Sequence, residues 1–203
     1  MTAPLCMLRV FLFCMVISAC DARVDRVHVI DHAQRPSAEL QRRDGVKDGP
    51  VTLYWPNGTA RLQGQYRADR REGWWRGFHP QGGHRSITRY AGGLKDGIRI
   101  FWDTLGRAQR AEVFVAGVPD GPFYRFFPDG SLAQHSNYVN GLLEGPHDQW
   151  YTERGGTRVN GFYHLGKEAG VWTEYDTRGR MIWQAYMKGG EVVRAMHGTR
   201  RRH

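Results

Sequence analysis

Apolar positions along this chain are mostly rings set at fixed distances from glycines, and long runs of Leu, Ile or Val are absent except near the N-terminus. Gly49, Gly73, Gly97, Gly121 and Gly145 follow one another at intervals of 24 residues, and Gly170 comes 25 residues later. Five residues past each stands an aromatic: Tyr54, Phe78, Trp102, Phe126, Trp150 and Tyr175. A second glycine series (Gly58, Gly82, Gly106, Gly130, Gly155, Gly179) keeps the same phase, and eight residues beyond it lie Tyr66, Tyr90, Phe114, Tyr138, Tyr163 and Met187. A third series, Gly93, Gly117, Gly141, Gly166 and Gly190, breaks only at Asp69. Three series in phase define six copies of one short unit, and repeats of this length stack into extended arrays.

Each copy alternates short ring-bearing runs with turn residues. Trp55-Pro56-Asn57-Gly58, His79-Pro80-Gln81-Gly82 and Phe127-Pro128-Asp129-Gly130 put proline early in a turn and glycine where positive φ is wanted. The second joint reads Gly93-Leu94-Lys95-Asp96-Gly97, and Asp120 and Glu144 recur at the phase of Asp96. Acids beside linking glycines are expected to bond turn amides. Two strands and two turns fill the unit, leaving no room for a helix, so the expected class is all-β: an elongated single-layer antiparallel sheet of successive hairpins.

These features resemble the MORN-repeat family, and more closely its bacterial variant, whose units run G-x-W-x-x-Y-x-x-x-G followed by Y-x-x-G-x-x-x-G. The resemblance covers residues 49–190 and is best at Gly170-Val171-Trp172-Thr173-Glu174-Tyr175-Asp176-Thr177-Arg178-Gly179. Tryptophan holds the third place only at Trp75 and Trp172; Val51, Arg99, Phe123 and His147 replace it elsewhere. The resemblance implies hairpins laid side by side, about twelve strands and on the order of 55 Å of sheet. It also brings in YwqK-type antitoxins, which belong to the bacterial variant.

The aliphatic exception is Val10–Ile17, preceded by Arg9 and followed by Ser18-Ala19-Cys20. It is too short to span a bilayer, which needs roughly 20 residues, and suits a signal-peptide core. Small residues ending in cysteine resemble a lipobox, which makes Cys20 the expected site of lipidation and membrane anchorage. The expected organisation is therefore a lipoprotein signal peptide (1–19), a charged tether (20–44) in which Val27–Ile30 offers a possible edge strand, six repeats (45–190) and a basic tail (191–203). Asp21 resembles an inner-membrane retention signal.

Charge and chemistry narrow the function. The net charge is +9, and removing a leader that holds Arg9 and no acid leaves +8. An exported basic protein suits anionic headgroups, which the tail would contact, or an acidic protein, and not nucleic acid. The three cysteines lie at positions 6, 14 and 20, so the repeats carry no thiolate nucleophile, disulfide or thiolate metal site. His79 and His84 straddle a turn and His135, His147 and His164 sit at different phases, so no metal or other cofactor is expected. There is no phosphate loop and no G-x-S-x-G elbow, and no catalytic residues are assigned.

Function is then expected on the faces of the sheet. The ring five places after each lead glycine (Tyr54, Phe78, Trp102, Phe126, Trp150, Tyr175) is constant and reads as structural. The next position varies (Trp55, His79, Asp103, Phe127, Tyr151, Asp176), as does the one before it (Leu53, Gly77, Phe101, Arg125, Gln149, Glu174). Variation on a constant frame marks Trp55, His79, Arg125, Phe127 and Tyr151 as candidate partner-binding residues. The expected function is a non-catalytic envelope scaffold for a protein partner, with neutralisation of a toxin or binding of cell-wall carbohydrate as the alternatives.

Overall fold

The computed structural model describes residues 22–31, 35–151, 156 and 158–198, so Cys20 and the last basic residues, 199–203, lie outside the described part. The described residues form no helix. They build one sheet from hairpins: β1 (Val24–Ile30) with β2 (Pro36–Arg43), β3 (Val46–Tyr54) with β4 (Ala60–Arg67), β5 (Arg70–His79) with β6 (Gly82–Ala91), and β7 (Leu94–Trp102) with β8 (Ala108–Val115). The series continues with β9 (Val118–Phe126) and β10 (Leu132–Val139), then β11 (Leu142–Leu143) and β12 (Gly145–Trp150) facing β13 (Arg158–His164), then β14 (Lys167–Tyr175) with β15 (Met181–Lys188), and ends on β16 (Glu191–His197). Strands pair in chain order, every pair antiparallel, with β11 a short piece set against β10. Fifteen strands along the path, at about 4.8 Å each, make a strip on the order of 67 Å, longer than the repeat count implied.

The added length comes from both ends. The expected tether, 20–44, is mostly a hairpin: apolar and polar residues alternate through Arg26-Val27-His28-Val29 and Ala38-Glu39-Leu40, and Val27 opposes Leu40, which opposes Val51. Across the hairpin end Asp31 accepts Arg35 N–H at 3.0 Å and pairs with its guanidinium. The Asp44 amide donates to Arg23 O at 2.9 Å, as Asp69 does to Lys47 O one unit later. These residues are a further copy of the repeat. The expected tail is likewise a strand as far as His197, paired with β15.

Each lead glycine makes a β-bulge. Between the pairs Leu40–Val51 and Arg42–Lys47, the single residue Gln41 faces Asp48, Gly49 and Pro50, and the same offset recurs at Asp96-Gly97-Ile98 and Asp120-Gly121-Pro122. Gly49, Gly97 and Gly121 hold φ of 125°, 102° and 119°, a region closed to side-chain-bearing residues.

The core lies on one face. Third-place residues alternate with their cross-strand partners as a ladder: Val51–Gly64, Trp75–Thr88, Arg99–Glu112, Phe123–Ser136, His147–Gly161, Trp172–Ala185. Large and small alternate, so each ring covers the small residue beside it. A second rank of rings flanks this ladder edge-on, with Tyr66 at 5.1 Å from Trp75 and Tyr163 at 5.1 Å from Trp172. Such contacts add about 0.5–1.5 kcal/mol each beyond area burial. Burial is deepest toward the C-terminal end, where Val159, Trp172, Trp183, Ala185 and Met187 form one cluster.

Candidate functional site

Strand alternation sets the rings five places after the lead glycines on the face opposite the ladder, since Trp172 and Glu174 point one way and Thr173 and Tyr175 the other. Tyr54, Phe78, Trp102, Phe126, Trp150 and Tyr175 are all half-buried there, not sunk in the core. Their contacts are lateral: His84 lies 5.2 Å from Phe78 and 6.2 Å from Trp102, and the Arg158 guanidinium sits 5.1 Å over Tyr175.

The variable position beside these rings belongs to the hairpin turns and is used in two ways. Trp55 donates its Nε1–H to Phe78 O at 3.1 Å, and His79 Nε2 lies 3.1 Å from Trp102 O, so each ties its turn to the next. Asp103 and Asp176 instead close their own turns, accepting the amides of Arg107 and Arg180 at 2.9 Å and pairing with those arginines at 2.7 and 2.8 Å. Backbone bonds from Arg107 and Arg180 hold these two carboxyls below the ordinary value. Trp55 and His79 are therefore partly spent on structure, while Phe127 and Tyr151 continue the same edge, Tyr151 being 37% exposed. Arg125 stands apart from these four, exposed within β9. The five candidates do not converge on one patch.

Of the acids expected to bond turn amides, Asp96 and Glu144 each accept from the turn that follows, and Glu72 at the same phase does so too. Glu72 accepts from Gly92 N at 2.9 Å, Asp96 from Ala116 N at 3.2 Å and Glu144 from Leu165 N at 2.8 Å. The bond from Leu165 keeps the Glu144 carboxyl low, with His164 adding a second contact at 3.0 Å. These three groups are fixed as turn acceptors along the edge.

The histidines are scattered. His135 stacks on Tyr124 at 5.1 Å, His147 is buried on the ladder within 2.8 Å of the Ser136 hydroxyl, and His164 meets Glu144 at the joint edge. Among the described residues no three His, Cys, Asp or Glu side chains gather as metal ligands. No family model matches the chain, and no curated protein matches it.

Beside the ladder, on the same face, runs a second row made from the residue before each structural ring and its cross-strand partner. From the N-terminal side it reads Leu53, Leu62, Gly77, Ser86, Phe101, Arg110, Arg125, Gln134, Gln149, Val159, Glu174 and Trp183, each opposite the next. It passes from apolar through cationic and amide-bearing to apolar and acidic. Leu53, Phe101, Arg125 and Gln149 were singled out by sequence variation. Their even-strand neighbours, Arg110 and Gln134 among them, were not, because no glycine or ring marks their phase.

The ladder has one break in its chemistry, and it adjoins this row. Where Trp75 faces Thr88 and Trp172 faces Ala185, the central unit sets Arg99 against Glu112 at 3.5 Å, with Arg110 at 3.6 Å from the same carboxylate oxygen. Neither Arg99 Nε nor Glu112 Oε1 has a hydrogen-bond partner although both are shut from solvent. Burial lowers the Arg99 guanidinium pKa, opposed by the charge of Glu112. Phe101 is flanked by both guanidiniums, at 4.3 Å from Arg99 and 4.7 Å from Arg110.

Proposed function

We propose that this protein is a non-catalytic scaffold of MORN-repeat type that binds a protein partner in the bacterial cell envelope, held to a membrane through acylated Cys20. The observation that carries the binding role is the second row of the ladder face. Its side chains change character from unit to unit while the bulges, turns and ladder beside them repeat. A frame that spends its periodic residues on its own turns leaves the central stretch of this row, Phe101 to Gln149, as the varied surface open to a partner, while Val159, Glu174 and Trp183 at its end are buried. Aromatic and arginine side chains, which the row offers at Phe101, Arg110 and Arg125, are the types that dominate binding energy at protein interfaces. The turn acids are engaged with backbone amides, which argues for a structural and not a catalytic use of the recurring carboxylates.

The membrane part rests on the lipobox-like Ile17-Ser18-Ala19-Cys20 and the short apolar run before it. Acyl chains contribute about 0.8 kcal/mol per buried CH₂, enough for stable attachment when several are present. Crosslinking in native membranes followed by mass spectrometry tests both parts. The expected result is a protein partner crosslinked through the ladder face, from a membrane fraction that Cys20→Ser empties of the protein. Recovery of the wild type as a soluble protein, or of no partner at all, overturns the reading.

A further inference from the structure

The central unit departs from the ladder pattern in a way that costs stability and adds charge. At Trp75 and Trp172 the third place is filled by a ring over a small neighbour, which buries well with no desolvation of charge. Arg99 and Glu112 occupy the same two places as an ion pair, and a partly buried pair recovers its desolvation cost only with good hydrogen-bond geometry. Here Arg99 Nε and Glu112 Oε1 lack hydrogen bonds. The pair does not optimise the fold.

It does build a cationic centre. Arg110 opposes Arg125 across β8 and β9, and Phe101 opposes Arg110 across β7 and β8, so three arginines and one ring occupy neighbouring places on the ladder face, with the guanidiniums of Arg99 and Arg110 against the ring. One carboxylate, Glu112, is paired with two of them. The side chain of Arg110 is 41% exposed, and a hollow of about 320 Å³ lies against Arg110 and Glu112. A guanidinium resting against a ring keeps donors along its edge for an incoming acceptor, and its planar fork matches a carboxylate.

We propose that Arg99 and Arg110, which flank Phe101, together with Arg125 beside Arg110 on β9, form the docking site for an acidic peptide segment of the partner protein. This rests on the scaffold reading above and names the site and the partner's chemistry. The row that holds the cluster favours a peptide over an isolated anion. From Gln149 through Gln134, Arg125, Arg110 and Phe101 to Ser86 it crosses six strands, about 24 Å, the reach of about seven extended residues. Amides stand on one side of the arginines and small or apolar residues on the other. An extended segment laid across the strands sets its acids on the guanidiniums and its backbone beside the glutamines.

The test uses the full chain in detergent and a fluorescein-labelled hexaglutamate peptide with blocked ends. Arg99→Trp/Glu112→Gly removes both charges of the ladder pair and leaves net charge unchanged. Arg110→Ala/Arg125→Ala removes two charges at the site, and Arg67→Ala/Arg70→Ala removes two charges elsewhere. The expected result is about tenfold or greater loss of affinity in the first two variants, both still folded by circular dichroism, with little change in the third. Equal loss in Arg110→Ala/Arg125→Ala and Arg67→Ala/Arg70→Ala, with none in Arg99→Trp/Glu112→Gly, means attraction by net charge alone and overturns the site. So does unchanged binding in Arg99→Trp/Glu112→Gly together with Arg110→Ala/Arg125→Ala. Site-dependent binding to phosphatidylglycerol vesicles without peptide binding overturns the peptide as occupant. A membrane crosslink to the partner that persists in Arg99→Trp/Glu112→Gly overturns the site while leaving the scaffold reading standing; absence of any partner with the wild type overturns the scaffold reading itself.

Discussion

Trp172 sits so closely on Gly161 of the neighbouring strand that a Cβ added to the glycine would fall inside the indole. Trp75 stands in the same relation to Gly64. These glycines are not turn residues; they are the small rungs of the ladder. Gly161→Ala is therefore expected to force the indole outward and destabilise by about 1–3 kcal/mol, although alanine suits a strand better than glycine does. Urea unfolding followed by tryptophan fluorescence measures it, and a neutral or stabilising effect would mean the ladder is loosely packed.

Burial separates two tryptophan classes that look alike in the repeat. Trp172 is 1% exposed on the ladder face, while Trp102 is half-buried on the opposite face. Trp172→Ala is expected to cost about 3–5 kcal/mol and Trp102→Ala clearly less. Equal losses in denaturant titrations would overturn the assignment of the core to a single face.

How the repeat could be read explains why its ends were missed. Lead glycines are conspicuous because the bulge at Gly49 or Gly97 needs positive φ and tolerates no Cβ cheaply. That bulge faces the preceding strand. Among the described residues no strand precedes β1, so the lead place in the first hairpin is filled by Asp25 without penalty, and the copy loses its most visible marker. Gly45 keeps the phase of the third series, but one glycine among so many charges reads as part of a tether. The ladder was hidden for another reason: its small rungs are Gly64, Thr88, Ser136, Gly161 and Ala185, which share a size class more than an identity, and Glu112 breaks even that. The variable turn position looked like open surface because a turn closed by Asp103 and one tied by Trp55 share no residue type.

Trp55 decides between a structural and a recognition role at that edge. Its Nε1–H bond to Phe78 O joins two successive turns. Trp55→Phe keeps the ring and removes the donor, and is expected to cost about 0.5–1.5 kcal/mol while leaving partner crosslinking intact. Lost crosslinking at unchanged stability would restore Trp55 as a contact residue.

His147 gives the fold an acid-sensitive rung. Burial against Tyr163 and Trp172 lowers its pKa from 6.5, outweighing the opposing effects of Gln149, Asp148 and Glu168. The unfolded chain therefore binds the proton more readily than the folded one. Stability is full above about pH 6.5 and falls as pH drops through the interval below it. Asp103, Asp176 and Glu144, whose folded pKa values are depressed, retain their contribution until pH approaches the ordinary carboxylate range, so the two effects occupy separate windows. Urea midpoints for the wild type are expected to fall between about pH 7.5 and about pH 5, and His147→Phe is expected to flatten that slope. An unchanged slope in the variant would mean that His147 is protonated in the fold.

The pair at the centre of the ladder should betray itself by non-additivity. Arg99→Ala leaves the Glu112 carboxylate, 14% exposed, facing Arg110 alone, and Glu112→Ala leaves Arg99 desolvated without its counter-charge. Each single change is expected to destabilise by about 2–4 kcal/mol, because removing one partner strands the other. Arg99→Trp/Glu112→Gly removes both charges together, so it is expected to destabilise by less than the two single changes summed, although the new indole meets Thr88 where Trp75 has Gly64. A double-mutant cycle in urea, carried out with Arg99→Trp, Glu112→Gly and the pair together, measures the coupling. Simple additivity would show that Arg99 and Glu112 do not act as a unit, and the unit at the centre would then differ from its neighbours in composition without differing in how it is held.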